Sequence, residues 1–112
     1  MARAYKILGQ RNPSANVLST LYTVPAGNSA IISSIVVANL DEGANVGNSF
    51  RIAVNTASAA VSNASYLAYS VNVPARDTIT LSLGITLNAG SIVSVNANSS
   101  LLAFSAFGTE VF

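Results

Sequence analysis

The chain contains no cysteine, no histidine and no tryptophan. The first absence removes disulfides, thiolate metal sites and cysteine nucleophiles together. The second removes the usual general base at neutral pH. The third removes the ring on which carbohydrate platforms are usually built. Charge is scarce as well: charged residues make up 8% of the sequence, against about 25% in an average soluble domain.

Ser, Asn, Thr and Ala stand where charge is missing, and hydrophobic residues reach 51%. A lone monomer normally keeps a charged surface for solubility. A neutral surface rich in small residues is better suited to being covered, by copies of the chain or by a partner. The net charge is only +1, and Arg3, Lys6, Arg11, Arg51 and Arg76 are scattered rather than gathered into a patch that tracks phosphates, so no nucleic-acid partner is expected. No run approaches the roughly 20 apolar residues of a membrane span. The opening Met1–Gln10 lacks the apolar core of a signal peptide. Synthesis in the cytosol, with no membrane partner, is the expectation. Asn63-Ala64-Ser65 and Asn98-Ser99-Ser100 match the glycosylation pattern and are read as chance.

The 112 residues fit one domain, large enough to bury a core without staples. Strand signals are dense. Val17–Val24 is rich in β-formers and runs into a turn at Pro25-Ala26-Gly27-Asn28. Ser29–Leu40 carries Ile and Val throughout, which favours a well-buried strand over a helix. Phe50–Asn55 alternates, with Phe50, Ile52 and Val54 on one face. Tyr66–Val73 is a further strand, stopped by Pro74-Ala75-Arg76-Asp77. Thr78–Leu83 alternates in strict period two, Gly84 breaks it, and Ile85–Leu87 follows. After the Asn88-Ala89-Gly90 turn come Ile92–Asn96 and the closing segment Leu101–Phe112.

Asp41–Asn48 reads as a loop. Its Asp41–Asn45 start faintly resembles a calcium loop but lacks the alternating oxygen ligands, so a plain turn is expected. Thr56–Ala64 reads as a loop or one short helical turn. About eight short strands with turns every eight to twelve residues or so mark a sandwich or barrel. The prediction is an all-β fold: an antiparallel β-sandwich of jelly-roll type over residues 15–112, preceded by an N-terminal arm over residues 1–14. The strand-to-turn segments ending in Pro25-Ala26 and Pro74-Ala75 echo each other, which two corners of the same chemistry explain.

Catalysis has little to work with. The carboxylate side chains are Asp41, Glu42, Asp77 and Glu110. Asp41 and Glu42 are adjacent and would point apart on a strand; Asp77 reads as a turn residue bonded to its own backbone. No Ser lies in Gly-x-Ser-x-Gly, no His activates one, and no glycine-rich phosphate loop is present. Catalytic, metal and cofactor-binding residues are all expected to be absent, and the chain is not expected to be an enzyme. Two surfaces remain as candidates for contact. Arg3, Tyr5, Lys6 and Arg11 form a slightly basic start, read either as a contact arm or as a solvated terminus. Tyr5, Tyr22, Tyr66 and Tyr69 form either a sugar-stacking surface or, the favoured reading for Tyr22 and Tyr69, rings packed with their hydroxyls at the edge.

Six stretches in order carry a resemblance: Lys6-Ile7-Leu8-Gly9-Gln10, Leu21-Tyr22-Thr23-Val24-Pro25-Ala26-Gly27, Ile32–Asn39, Tyr66-Leu67-Ala68-Tyr69, Leu83–Gly90 and Phe107-Gly108-Thr109-Glu110-Val111. Together they resemble small virion proteins of tailed bacteriophages across nearly the whole chain. The resemblance implies a β-sandwich component of the virion, either a head decoration (cement) protein or a tail, fibre or baseplate part. It implies self-association, commonly as a homotrimer, with the major capsid protein or another virion protein as partner. It carries no catalytic residues. Where the common pattern has Asp after the Ala-Gly turn this chain has Ser91, which weakens any acidic site there. A tail-associated protein would instead offer a groove for a partner or a host glycan near Tyr66, Tyr69 or Asp41–Gly47.

Overall fold

The computed structural model describes residues 2–42, 47–56 and 61–112. Eight strands follow one another: β1 (Arg3–Arg11), β2 (Ser19–Thr23), β3 (Ser29–Asn39), β4 (Asn48–Asn55), β5 (Tyr66–Val73), β6 (Thr78–Leu87), β7 (Ile92–Ala97) and β8 (Leu102–Val111). The only helical piece among the described residues is a 3-10 turn at Asn63–Ser65. The expected loop at Asp41–Asn48 and the Thr56–Ala64 segment lie partly outside the described residues.

The strands make two four-stranded antiparallel sheets, ordered β1-β8-β3-β6 and β2-β7-β4-β5. Each sheet takes strands from both halves of the chain, so the two sheets close on each other as a jelly roll. This matches the fold expected from the sequence. The membership of the eight strands differs. The segment read as a terminal arm is β1, an edge strand of the first sheet paired with β8 from Arg3↔Val111 to Arg11↔Phe104. Its three charged residues made it look like a solvated tail. Thr78–Leu87 is one strand rather than two. Gly84 sits at a bulge opposite β3 with φ +64, a conformation open to glycine at little cost, and the strand continues through it.

The core lies between the sheets. Ile32, Ile35, Val37, Leu102 and Phe104 of the first sheet meet Phe50, Ile52, Val93 and Val95 of the second, all fully buried. Phe50 and Phe104 meet edge-on, centroids 5.8 Å apart, the favoured geometry for two ring quadrupoles. One end is fastened by buried amides. Asn39 Nδ2 donates to Val73 O at 2.9 Å, while Asn39 Oδ1 accepts from Asn48 Nδ2 at 3.1 Å and from Asp41 N at 3.0 Å. This joins β3 to β4 and β5 without leaving a buried amide unpaired.

The corners share one chemistry, as the echo in the sequence suggested. Asn28 N bonds Pro25 O, Asp77 N bonds Pro74 O and Ser91 N bonds Asn88 O, each at 3.1 Å. The third residue of each turn, Gly27, Arg76 or Gly90, has positive φ, the type II pattern. Asp77 bonds its own neighbourhood, its Oδ1 accepting from Thr78 N at 2.8 Å.

Candidate functional site

The strand pairing decides which side chains share a surface. On the outer face of the first sheet the registers line up three rows: Tyr5–Thr109–Ile31–Thr86, Ile7–Phe107–Ser34–Ser82 and Gln10–Ser105–Val36–Thr80. None of these twelve residues is charged. The exposed ones include large apolar side chains: Tyr5 is 76% exposed, Ile7 54% and Ile31 40%. The nine charged residues of the chain sit elsewhere. Arg3 and Arg11 mark the two ends of β1. Asp41, Glu42, Arg76 and Asp77 gather at turns, where Arg76 Nη2 donates to Glu42 O at 2.6 Å.

The sequence-derived contact residues therefore divide. Tyr5 belongs to the uncharged outer face. Arg3 and Arg11 are exposed at its margins. Lys6 points the other way, into the seam between the sheets, where its Nζ meets Glu110 Oε1 at 2.6 Å. Tyr22, from the opposite sheet, donates its hydroxyl to Glu110 Oε2 at 2.5 Å. Hydrogen bonds from Lys6 and Tyr22 hold the Glu110 carboxyl below its ordinary range against the opposing effect of burial. Burial, then the hydrogen bond to Glu110 and its charge, push the Tyr22 phenol well above its ordinary value. This trio, with Tyr22 and Glu110 buried and Lys6 at the rim, ties the first strand, the last strand and the second sheet together. Nothing in the local sequence announced it, since its members are far apart in the chain.

The tyrosines divide as well. Tyr22 is packed, as expected. Tyr69 is 57% exposed on the outer face of the second sheet, which corrects the reading of it as a packed ring. A bulge in β5 turns it outward. Tyr66 lies edge-on to it, centroids 5.0 Å apart, and the Arg51 guanidinium lies over it at 4.0 Å. Among the described residues no group of three or more Asp and Glu is placed to hold a metal ion.

No family model matches the sequence, and no curated protein matches it. Among solved structures, the chain is similar to two crystal structures of a pentameric capsid protein isolated from metagenomic phage sequences. Each is 15% identical with a TM-score of 0.36 over 96% of this chain. This chain spans 64% of the length of one and 62% of the other.

Proposed function

We propose that the chain is a bacteriophage virion structural protein with no catalytic role: a capsid decoration (cement) protein that stabilises the head as a homo-oligomer, a homotrimer on the resemblance noted above. The observation that carries this reading is the uncharged outer face of the first sheet. Three rows across four strands expose Tyr5, Ile7 and Ile31 among Thr, Ser and Val, with no charge to keep the face in water. Four strands about 4.8 Å apart and eight residues of about 3.4 Å rise span roughly 500 Å² before side-chain relief is counted. That is the scale of one side of a small specific interface. Its natural occupant is a second copy, because a neutral face matches a neutral face without burying an unpaired charge.

Assembly on this face works through area burial, with Lys6 engaged inside its own subunit and unavailable as a charged clamp. Binding is accordingly only mildly sensitive to salt. The test is the mass of the purified chain by light scattering at low and high salt. A salt-resistant trimer supports the reading. A clean monomer at both salts removes the second copy as occupant and leaves the capsid shell as the surface to test. A second reading, a tail-fibre or baseplate part that binds a partner or host glycan, is favoured by the exposed Tyr69 ring beside half-buried Tyr66 and Arg51 on the other sheet.

A further inference from the structure

We infer that the outer face of the second sheet carries a binding groove for an acidic saccharide, with the Arg51 guanidinium taking the sugar carboxylate. The inference is independent of the assembly proposed for the first sheet.

The groove begins with a bulge. Phe50 pairs with Val71 and Ile52 with Ala68, so Tyr69 and Ser70 together face Arg51. In a regular ladder two successive residues point to opposite faces; the bulge aims both at one side chain. Ser70 adopts φ 54 to do so, a conformation a serine rarely takes. Arg51 is thereby held on two sides. Its Nε donates to Ser70 Oγ at 3.2 Å, and its Cζ lies 4.0 Å from the Tyr69 ring centroid.

A guanidinium has five N–H donors in a planar fork. Nε is used, and the Nη groups have no acceptor among the described residues. No carboxylate balances the charge: the one ion pair among the described residues is Lys6 with Glu110. A half-buried, oriented and unbalanced arginine is suited to a carboxylate, which it binds with two parallel hydrogen bonds.

The surroundings point to a sugar rather than a bare anion. A pocket of about 220 Å³ beside Arg51 is lined by Asn16, Ser49, Asn96 and Asn98 as well as Ser70. Asn98 Oδ1 accepts from Ser49 N at 3.0 Å, which fixes its amide with Nδ2 unused. The side chains of Asn16 and Asn96 have no hydrogen-bond partner among the described residues. Each amide can donate and accept, as vicinal hydroxyls require. A second pocket, of about 470 Å³, is lined by Tyr66, Asn63 and the same Tyr69 that Arg51 lies over, which offers an aromatic wall and an amide to a second ring. A phosphate site would gather several cations; one arginine flanked by amides and tyrosines matches a saccharide with a single carboxylate.

The test is a titration of the 15N-labelled chain with glucuronic acid, glucose and inorganic phosphate, followed by NMR. Glucuronic acid is expected to move the Arg51 Nε–H and the Asn96 and Asn98 side-chain amide signals saturably, with glucose at least tenfold weaker. R51Q is expected to abolish the response. N96D, which places a carboxylate opposite Arg51, is expected to abolish it too while leaving the thermal midpoint unchanged, so loss of fold and loss of site are distinguished. No saturable shift with glucuronic acid overturns the inference, as does an equal response to glucose. Phosphate binding as tight as glucuronic acid would reduce the groove to an adventitious anion site and overturn it as well.

Discussion

Lys6 Nζ lies 2.6 Å from Glu110 Oε1, joining the first strand to the last across nearly the full length of the chain. Glu110 is buried, whereas the Lys6 side chain is 48% exposed. The two partners should therefore respond unequally to substitution. Lys6→Met leaves a buried carboxylate supported by Tyr22 alone and is expected to cost about 1–3 kcal/mol. Glu110→Gln leaves a neutral amide that still accepts from Tyr22, and Lys6 can return to water, so the cost is expected to be smaller. Chemical denaturation of both variants checks the order.

The same trio predicts the pH profile. Glu110 has a lowered pKa in the folded chain, so its contribution is fully present above the ordinary carboxylate value of 4.5 and is lost as pH falls through the folded value. Tyr22 has a raised pKa, so its contribution holds below the ordinary phenol value of 10.0 and is lost as pH rises above it. Stability should be flat between these limits and fall on both sides. Thermal midpoints across the range, compared with Glu110→Gln, should show the acid slope lost in the variant and the alkaline slope reduced only in part, because burial of Tyr22 remains.

On the outer face of the first sheet, Ile31 is 40% exposed at the centre of an uncharged row. Ile31→Lys should lower the mass of an oligomer to that of a monomer by light scattering. The monomer itself should change by no more than about 0.5 kcal/mol, because the side chain supports no core contact.

Gly108 faces the backbone of β3 so closely that an added Cβ would run into Ile31 O. Neither backbone can yield without breaking the ladder between β8 and β3. Gly108→Ala is expected to destabilise by about 1–3 kcal/mol through overpacking. The readout is the denaturant midpoint at unchanged slope.

Phe104 is fully buried against Phe50 between the sheets. Phe104→Ala should cost about 3–5 kcal/mol, the largest loss among these substitutions, since no polar group or water can fill the apolar space.

What the sequence by itself determined is the local part of the protein. Alternation in Phe50–Asn55 and Thr78–Leu83, the Ile/Val run of Ser29–Leu40 and the repeated Pro-Ala corners each act over a few residues. They specified an all-β chain of about eight strands closed as a sandwich. Absent cysteine and histidine likewise narrowed the chemistry at once.

Lateral neighbours were decided only by the tertiary structure. β1 is a strand because β8, far along the chain, pairs with it from Arg3↔Val111 to Arg11↔Phe104. Gly84 continues a strand because β3 accommodates its bulge. Tyr69 faces solvent beside Arg51 because a second bulge turns it there. The neutral rows of the first sheet exist only once four strands lie in register. The physical reason is the same throughout: side-chain period is written along a strand, whereas register between strands is set by pairings of high sequence separation that no local pattern encodes.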